Sequence, residues 1–402
     1  MPVYFNDAAD DTLLYDRQAS FIGGQVSNFR ENLLNESQAE LIKDLAPEIN
    51  GVLKTRRGFH RFANLLGSTS SSTNVQTLHF FDSDSRERVI AAVNGSLYEI
   101  QSNGTVTAIS AVAGSMSPAT TPAYMCQIAD KMYWSSDSSS SKIFEVKYSG
   151  GTWVKTVAAD SAPLNAKYLI ANSGRVFAYD ESNNDIYVST ILPNLASTST
   201  LFTLGGTTIN PFKVGTGAET VTGMYSWVGT NVVVFCENSV YLVDTNPLTA
   251  ATATAGNATA TFTIRQVSNK SGCVSHRAAA QVGEDLFYLS KDGVRSLKRT
   301  MAEEMVASTA GVISYPIQDL IDSINWSAAV QQASATFWNA NFMLSVPILS
   351  STVNNCLLIY NVNTNSWGGY WQGNADYNVK AIDFAVPAFS GYAEKLLTLD
   401  KV

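Results

Sequence analysis

One unit recurs along this chain and limits its fold more than any other feature: an apolar strand, a small polar turn, then a second strand ending in β-branched or aromatic residues. It reads VIAAVNGSLYEI at 89–100, MYWSSDSSSSKIFEV at 132–146 and VFAYDESNNDIYVST at 176–190. It returns as VVVFCENSVYLVD at 232–244, LFYLSKDGVRSLK at 286–298 and, with a longer turn, FMLSVPILSSTVNNCLLIYNV at 342–362. Runs of Val, Ile, Tyr and Phe bounded by Ser, Thr, Asn, Asp and Gly are strand-and-turn chemistry. The turn centres recur every ~43 to ~60 residues, close to the blade period of propeller repeats with loop insertions added. A stack of unrelated sandwiches would not keep such a period, whereas radial repetition does so and leaves only short edges. The expectation is an all-β chain, a β-propeller of six to seven four-stranded blades, each unit being the central hairpin of a blade.

The first part of the chain has a different texture, and residues 1–74 are expected to be an N-terminal docking segment, with 75–402 as the propeller. In LLNESQAELIKDLAPEIN, Leu41, Ile42 and Leu45 stand at helical spacing. Ser37 and Glu40 form a capping-box pattern, and Pro47 ends the helix this predicts. Two insertions interrupt the repeats. TNPLTAATATAGNATATFTI (245–264) reads as an exposed loop or extended hairpin, and 301–327 carries Ile317, Leu320, Ile321 and Ile324 on one helical stripe. The last strand, near AEKLLTLDKV, calls for a partner. Either GVLKTRRGFHRF (51–62) closes the ring, or the last blade is unfinished.

Composition narrows the function. Charged residues make up 15% of the 402, against about 25% in an average globular chain. The formal net charge is −8, which argues against a protein that grips the phosphate backbone. No apolar run reaches the ~18 residues of a spanning helix, and the first residues lack the basic and apolar regions of a secretory signal. Assembly in a cytoplasm is therefore expected. Cys126, Cys236, Cys273 and Cys356 are scattered, three of them in apolar runs, and read as buried free thiols.

No catalytic or metal site and no cofactor is expected. His60, His79 and His276 fall in separate repeats without metal-ligand spacing. GTGAETVTG (215–223) lacks the GK[ST] ending of a phosphate loop. Asp130, Asp180, Asp185, Asp244, Asp285 and Asp292 stand mostly in turns, where Asp satisfies local backbone. Asp82 and Asp84 lack the glycine and closing glutamate of a calcium loop. The dense basic cluster, Lys54, Arg56, Arg57, His60 and Arg61 interleaved with Phe59 and Phe62, suits a docking strand or interface, with a nucleic-acid patch as the alternative. Trp367 and Trp371, in NSWGGYWQG, are core residues or a contact platform.

The N-terminal arrangement resembles the opening of virion proteins of tailed bacteriophages. FIGGQVSN is followed by an intervening helix and then LAPEINGVLKTRRGF, with Asn50, Gly51, Leu53, Arg56 and Gly58 in the family's pattern and Arg57 where proline is usual. TGMYSWVGTNVVVFCENSVYLVD, SNKSGCVSHRAAAQVGEDLFYLSKDGVRSL, PIQDLIDSIN and LLIYNVNTNSW resemble successive elements of that family, in the same order. The resemblance implies a tail hub or nozzle protein of short-tailed phages. Such a protein would be a homohexameric ring below the portal and adaptor complex, near tail fibres or tailspikes, with transient contact to DNA in the channel. A propeller glycan hydrolase, using paired carboxylates, and a soluble interaction scaffold are the competing expectations.

Overall fold

The computed structural model of the chain describes residues 20–29, 33–47, 52–55, 62–63, 75–83, 86–109, 121–136, 143–157, 166–190, 201–204, 207–245, 252–254, 257–259, 262–306, 311–372, 381–390 and 394–400. Within them the chain folds as a β-propeller of seven blades. Blade one comprises Val75–Ser83, Arg86–Val93, Ser96–Ile100 and Val106–Ala108, in an antiparallel meander. Blade two comprises Ala123–Ile128, Lys131–Ser136, Phe144–Ser149 and Thr152–Val157. Blade three has Ala166–Asn172, Arg175–Asp180 and Asp185–Val188. Blade four has Val221–Trp227, Asn231–Cys236, Val240–Asp244 and Thr263–Ser268.

Blade five has Ala279–Val282, Asp285–Ser290 and Gly293–Ser296. Blade six has Ser334–Trp338, Asn341–Val346, Cys356–Asn361 and Ser366–Gln372. Blade seven has Ala381–Ala385 paired with Leu397–Asp400. All six recurring units are the second and third strands of their blades, as the sequence implies. Four strands per blade holds only for blades one, two, four and six among the described residues. In blades three and five the fourth position is a single bridge, Ile186 to Phe212 and Arg295 to Val312.

The first strands of the blades neighbour one another in chain order around the axis, and Ala381–Ala385 packs against Val75–Ser83 to close the ring. Between blades four and five the contact includes hydrogen bonds from the Met224 amide to His276 Nδ1, from the Gln281 amide to the Tyr225 hydroxyl, and from Thr222 and Trp227 to the Cys273 and Glu284 carbonyls. Apolar burial is divided into layers between blades. In blade one, Val89, Ala91 and Val93 face blade seven, while Ile90 and Ala92 face blade two. In blade four, Val232, Val234 and Cys236 face blade three, while Val233 and Phe235 face blade five. A strand buried on both faces is apolar throughout rather than alternating, which is why VIAAV and VVVFC run without interruption. The tight turns are chemically matched: Asn94 and Gly95 both have positive φ, the requirement of a two-residue hairpin turn that follows strand twist.

The N-terminal region differs from the predicted helix. Its described residues form short extended pieces, Gly24–Gln25 beside Gln38–Ala39 and Leu45–Pro47 beside Leu53–Thr55. Leu41 is 63% exposed and Ile42 only 1%, the alternation of an extended chain. The helical insertion also differs. In place of one helix it forms Leu297–Val306, a 3₁₀ turn Tyr315–Ile317, then Gln318–Asp322 and Trp326–Gln332. Pro316 at a helix start explains one break. The predicted stripe still faces inward, with Ile317, Ile321 and Ile324 buried. The other insertion is an extended hairpin, Thr252–Thr254 against Asn257–Thr259, joined to Thr207–Asn210.

Candidate functional site

A cavity lies on the axis, and the N-terminal segment builds a face on blade six; a further cavity of about 330 Å³ lies against blade four, where Glu219 bonds the Ser239 hydroxyl and Glu237 pairs with Lys291. The axial cavity has a volume of about 340 Å³ and takes residues from six blades, among them Thr77, Tyr124, Tyr225, Arg277, Phe337 and Asp383. The Arg277 side chain is 8% exposed. Its Nη2 donates to the carbonyls of Gln76 in blade one and Ala123 in blade two. Its Nε lies 3.8 Å from Asp383 Oδ2 of blade seven, and its guanidinium sits 5.1 Å above the Tyr124 ring. Asp383 Oδ2 accepts from Thr77 Oγ1 at 2.7 Å and the Leu78 amide at 3.0 Å. One ionic cluster thus ties blade five to blades one, two and seven.

His276 stands next to Arg277 in sequence. It stacks on Tyr168 at 4.8 Å with 8° between planes and meets Tyr124 edge-on at 4.9 Å. Burial, with Arg277 adding to it, holds its pKa down to about 3. His79, of blade one, is also held low, to about 4, by burial; Asp383 and Gln127 oppose the shift. Both imidazoles are therefore neutral at physiological pH, and Nδ1 of His276 accepts a backbone proton. Asp383 is the carboxylate that lines this cavity among the described residues. The paired carboxylates of a glycan hydrolase are not brought together there. The turn aspartates serve local structure: Asp285 accepts from Ser296, Asp180 from the Ser182 amide and Asp292 from Arg295. Among the described residues no group of three or more His, Cys, Asp or Glu side chains could hold a metal ion.

The face on blade six is built by backbone. The edge strand of blade six, Ser366–Gln372, receives the N-terminal segment: the Tyr370 amide donates to the Ile42 carbonyl, and the Asp44 amide to the Tyr370 carbonyl. Trp371 Nε1 donates to the Leu45 carbonyl at 3.3 Å. Ser27 and Asn28 donate amides to the Pro316 carbonyl, and the Ser27 hydroxyl bonds Asp319. Two glycines permit the approach. At Gly369 (φ +89°) an added Cβ would lie 2.2 Å from the Ile42 carbonyl, and at Gly24 (φ +70°) 2.3 Å from that of Trp367. On its outer side this region carries Ile22, Phe29, Leu33 and Leu41, each more than a third exposed, with Tyr315 edge-on to Phe29 at 5.9 Å.

The sequence-predicted docking residues divide accordingly. Trp367 is buried, donates Nε1 to the Ile313 carbonyl and packs on Tyr360. Trp371 is half-buried against blade seven and the N-terminal segment. The platform in NSWGGYWQG is thus occupied by the same chain. Lys54 lies exposed on Leu53–Thr55, which pairs with Leu45–Pro47. Arg56, Arg57, Phe59, His60 and Arg61 lie outside the described residues, while Phe62 packs against the layer between blades one and seven. Sequence reasoning missed Ile42, Gly24, Gly369, Arg277 and Asp383. The paired glycines in IGGQ and WGGY were the visible signal for the first three. Nothing local marks Arg277 or Asp383.

The four cysteines are buried and free. Burial raises every thiol pKa, to about 11 at Cys236 and about 12 at Cys273 and Cys356, and that of Cys126 as well. Among the described residues no helix is long and apolar enough to cross a membrane.

No family model matches the sequence, and no curated protein matches it. Among solved structures the chain is similar to the WD40 β-propeller domain of Doa1, with a TM-score of 0.45 and 9% identity over 79% of this chain and 88% of that one. It is similar to YCF48 from Cyanidioschyzon merolae, with a TM-score of 0.42 and 11% identity over 83% of this chain and 95% of that one. A catalytically inactive virginiamycin B lyase from Staphylococcus aureus gives 0.42 and 11% over 74% and 82%. The arrangement of blades in this chain is itself that of a β-propeller scaffold.

Proposed function

We propose that this chain is a structural, non-catalytic protein of a tailed-phage virion. In this reading it is a hub or nozzle subunit that forms a ring on the tail axis below the portal and adaptor. The observation that carries the reading is the N-terminal segment: it is fixed to blade six and leaves Ile22, Phe29, Leu33 and Leu41 exposed, with Phe29 edge-on to the exposed Tyr315. Exposed apolar groups on a segment fixed to the fold are what an assembly contact needs. Closed rings of identical subunits require two different complementary faces, and this segment is a source for one of them. The ordered resemblance of sequence elements to phage virion proteins supports the same reading. A net charge of −8 suits a wall that DNA slides past rather than one that holds it. The hydrolase alternative loses weight because Asp383, in the axial cavity, is already engaged by Thr77, Leu78 and Arg277.

The test is mass by light scattering together with electron microscopy of the purified chain at high concentration. Rings that dissociate when Phe29 and Leu41 are replaced by Glu support the proposal. A strict monomer, with no ring in the presence of portal and adaptor, removes it.

A further inference from the structure

Separately from any role in assembly, the geometry points to the axial cavity as a binding site for a carboxylate group. The argument is an imbalance of donors and acceptors. Arg277 is nine-tenths buried, yet only its Nη2 donates to protein carbonyls; Nη1 has no acceptor among the described residues. His276 accepts the Met224 amide on Nδ1, which leaves its proton on Nε2, also without an acceptor there. The Tyr225 hydroxyl oxygen accepts the Gln281 amide, and its own proton is not used by the protein. The one lining carboxylate is largely engaged instead: Asp383 Oδ2 takes Thr77 and Leu78, and Oδ1 takes the Phe384 amide. Residues lining the cavity thus carry three kinds of open donor from blades four and five, while its one carboxylate is already engaged.

Charge selects the ligand. Arg277 and Asp383 carry opposite charges 3.8 Å apart, so the lining is formally neutral; a carboxylate adds one negative charge to it where a phosphate adds about two, and the open donors favour the singly charged group. Its walls are aromatic, from Tyr124, Tyr225 and Phe337, which suits a carboxylate on a flat or apolar body. A volume of about 340 Å³ lies at the small end of ligand pockets. The carboxylate could be that of a small free acid or of an acidic side chain inserted by another protein, and these differ in how they are probed.

The experiment is calorimetric titration of the full chain at constant ionic strength with benzoate, with benzamide as its neutral match, and with an end-blocked peptide containing one Asp beside an aromatic residue. Saturable binding of benzoate or of the peptide, with no binding of benzamide, supports the site; which of the two binds identifies the source. Arg277 also ties blades together, so the diagnostic variant is Tyr225→Phe, which removes one donor and keeps the ring. It should weaken carboxylate binding about fivefold or more; because the Gln281 amide loses its acceptor in the same variant, circular dichroism at the titration temperature checks that the chain is folded while binding is read. Binding of benzamide equal to that of benzoate, no binding of either acid at millimolar concentration, or undiminished affinity in Tyr225→Phe overturns the inference. Oligomeric state enters none of these readouts, so the result stands apart from the ring proposal.

Discussion

His79 and His276 connect side-chain environment to the behaviour of the whole fold. Free histidine titrates near 6.5, but burial holds these two near 4 and 3 in the folded chain. As pH falls below 6.5 the unfolded chain takes up protons that the folded one refuses, so stability is complete above 6.5 and declines below it. The loss levels off only as each folded imidazole protonates, near 4 for His79 and near 3 for His276. At pH 5 each contributes a loss of about 2 kcal/mol relative to neutral pH. Urea unfolding at pH 7.5 and pH 5 checks this; equal midpoints would refute it. The buried Nε2 of His79 has no hydrogen-bond partner, a further reason that charging it is unfavourable. Glu99 shows the opposite solution to burying charge. It is 2% exposed and accepts from Arg86, Arg88 and the Trp153 indole, joining blade one to blade two. Residue types alone do not distinguish these cases, because each depends on what the next blade places opposite.

At the scale of elements, the second strand of each blade was the most legible part of the sequence. Apolar on both faces and followed by a turn of fixed chemistry, it has no alternative to burial between neighbours. The N-terminal segment was the least legible. Leu41, Ile42 and Leu45 satisfy a helical period, yet Ile42 is buried and Leu41 exposed because the backbone there pairs with Tyr370, far along the chain. Long-range pairing overrode local propensity. Unpaired, the Ser366–Gln372 edge would be a strand open to other chains. Replacing Ile42 by Asp places a charge where 1% of the side chain is exposed. Proteolysis within residues 24–47 should then rise on the order of tenfold, a change that costs only about 1.4 kcal/mol of docking. Unchanged cleavage would show that the segment is held by something other than this contact.

At the scale of the molecule, seven blades close without a strand shared between the first and last among the described residues; the seam between blades seven and one is packed rather than laced. Asp383 crosses that seam to Thr77 and the Leu78 amide, while Phe389 packs on Phe80. Asp383→Ala leaves those donors and the Arg277 guanidinium facing an empty position, a loss of about 3 kcal/mol. Hydrogen exchange should accelerate first in Val75–Ser83 and Ala381–Ala385, before the other blades; uniform acceleration would mean that the seam is not the weak point. By itself the sequence determined the all-β class, the blade period, the central hairpins and the burial of the cysteines. Each follows from periodicity and turn chemistry within a few dozen residues. Only the tertiary structure decided that there are seven blades, that the N-terminal segment is a strand on blade six, and that Arg277 and Asp383 meet on the axis. Those outcomes depend on groups brought together from opposite ends of the chain, and local sequence carries no record of such partners.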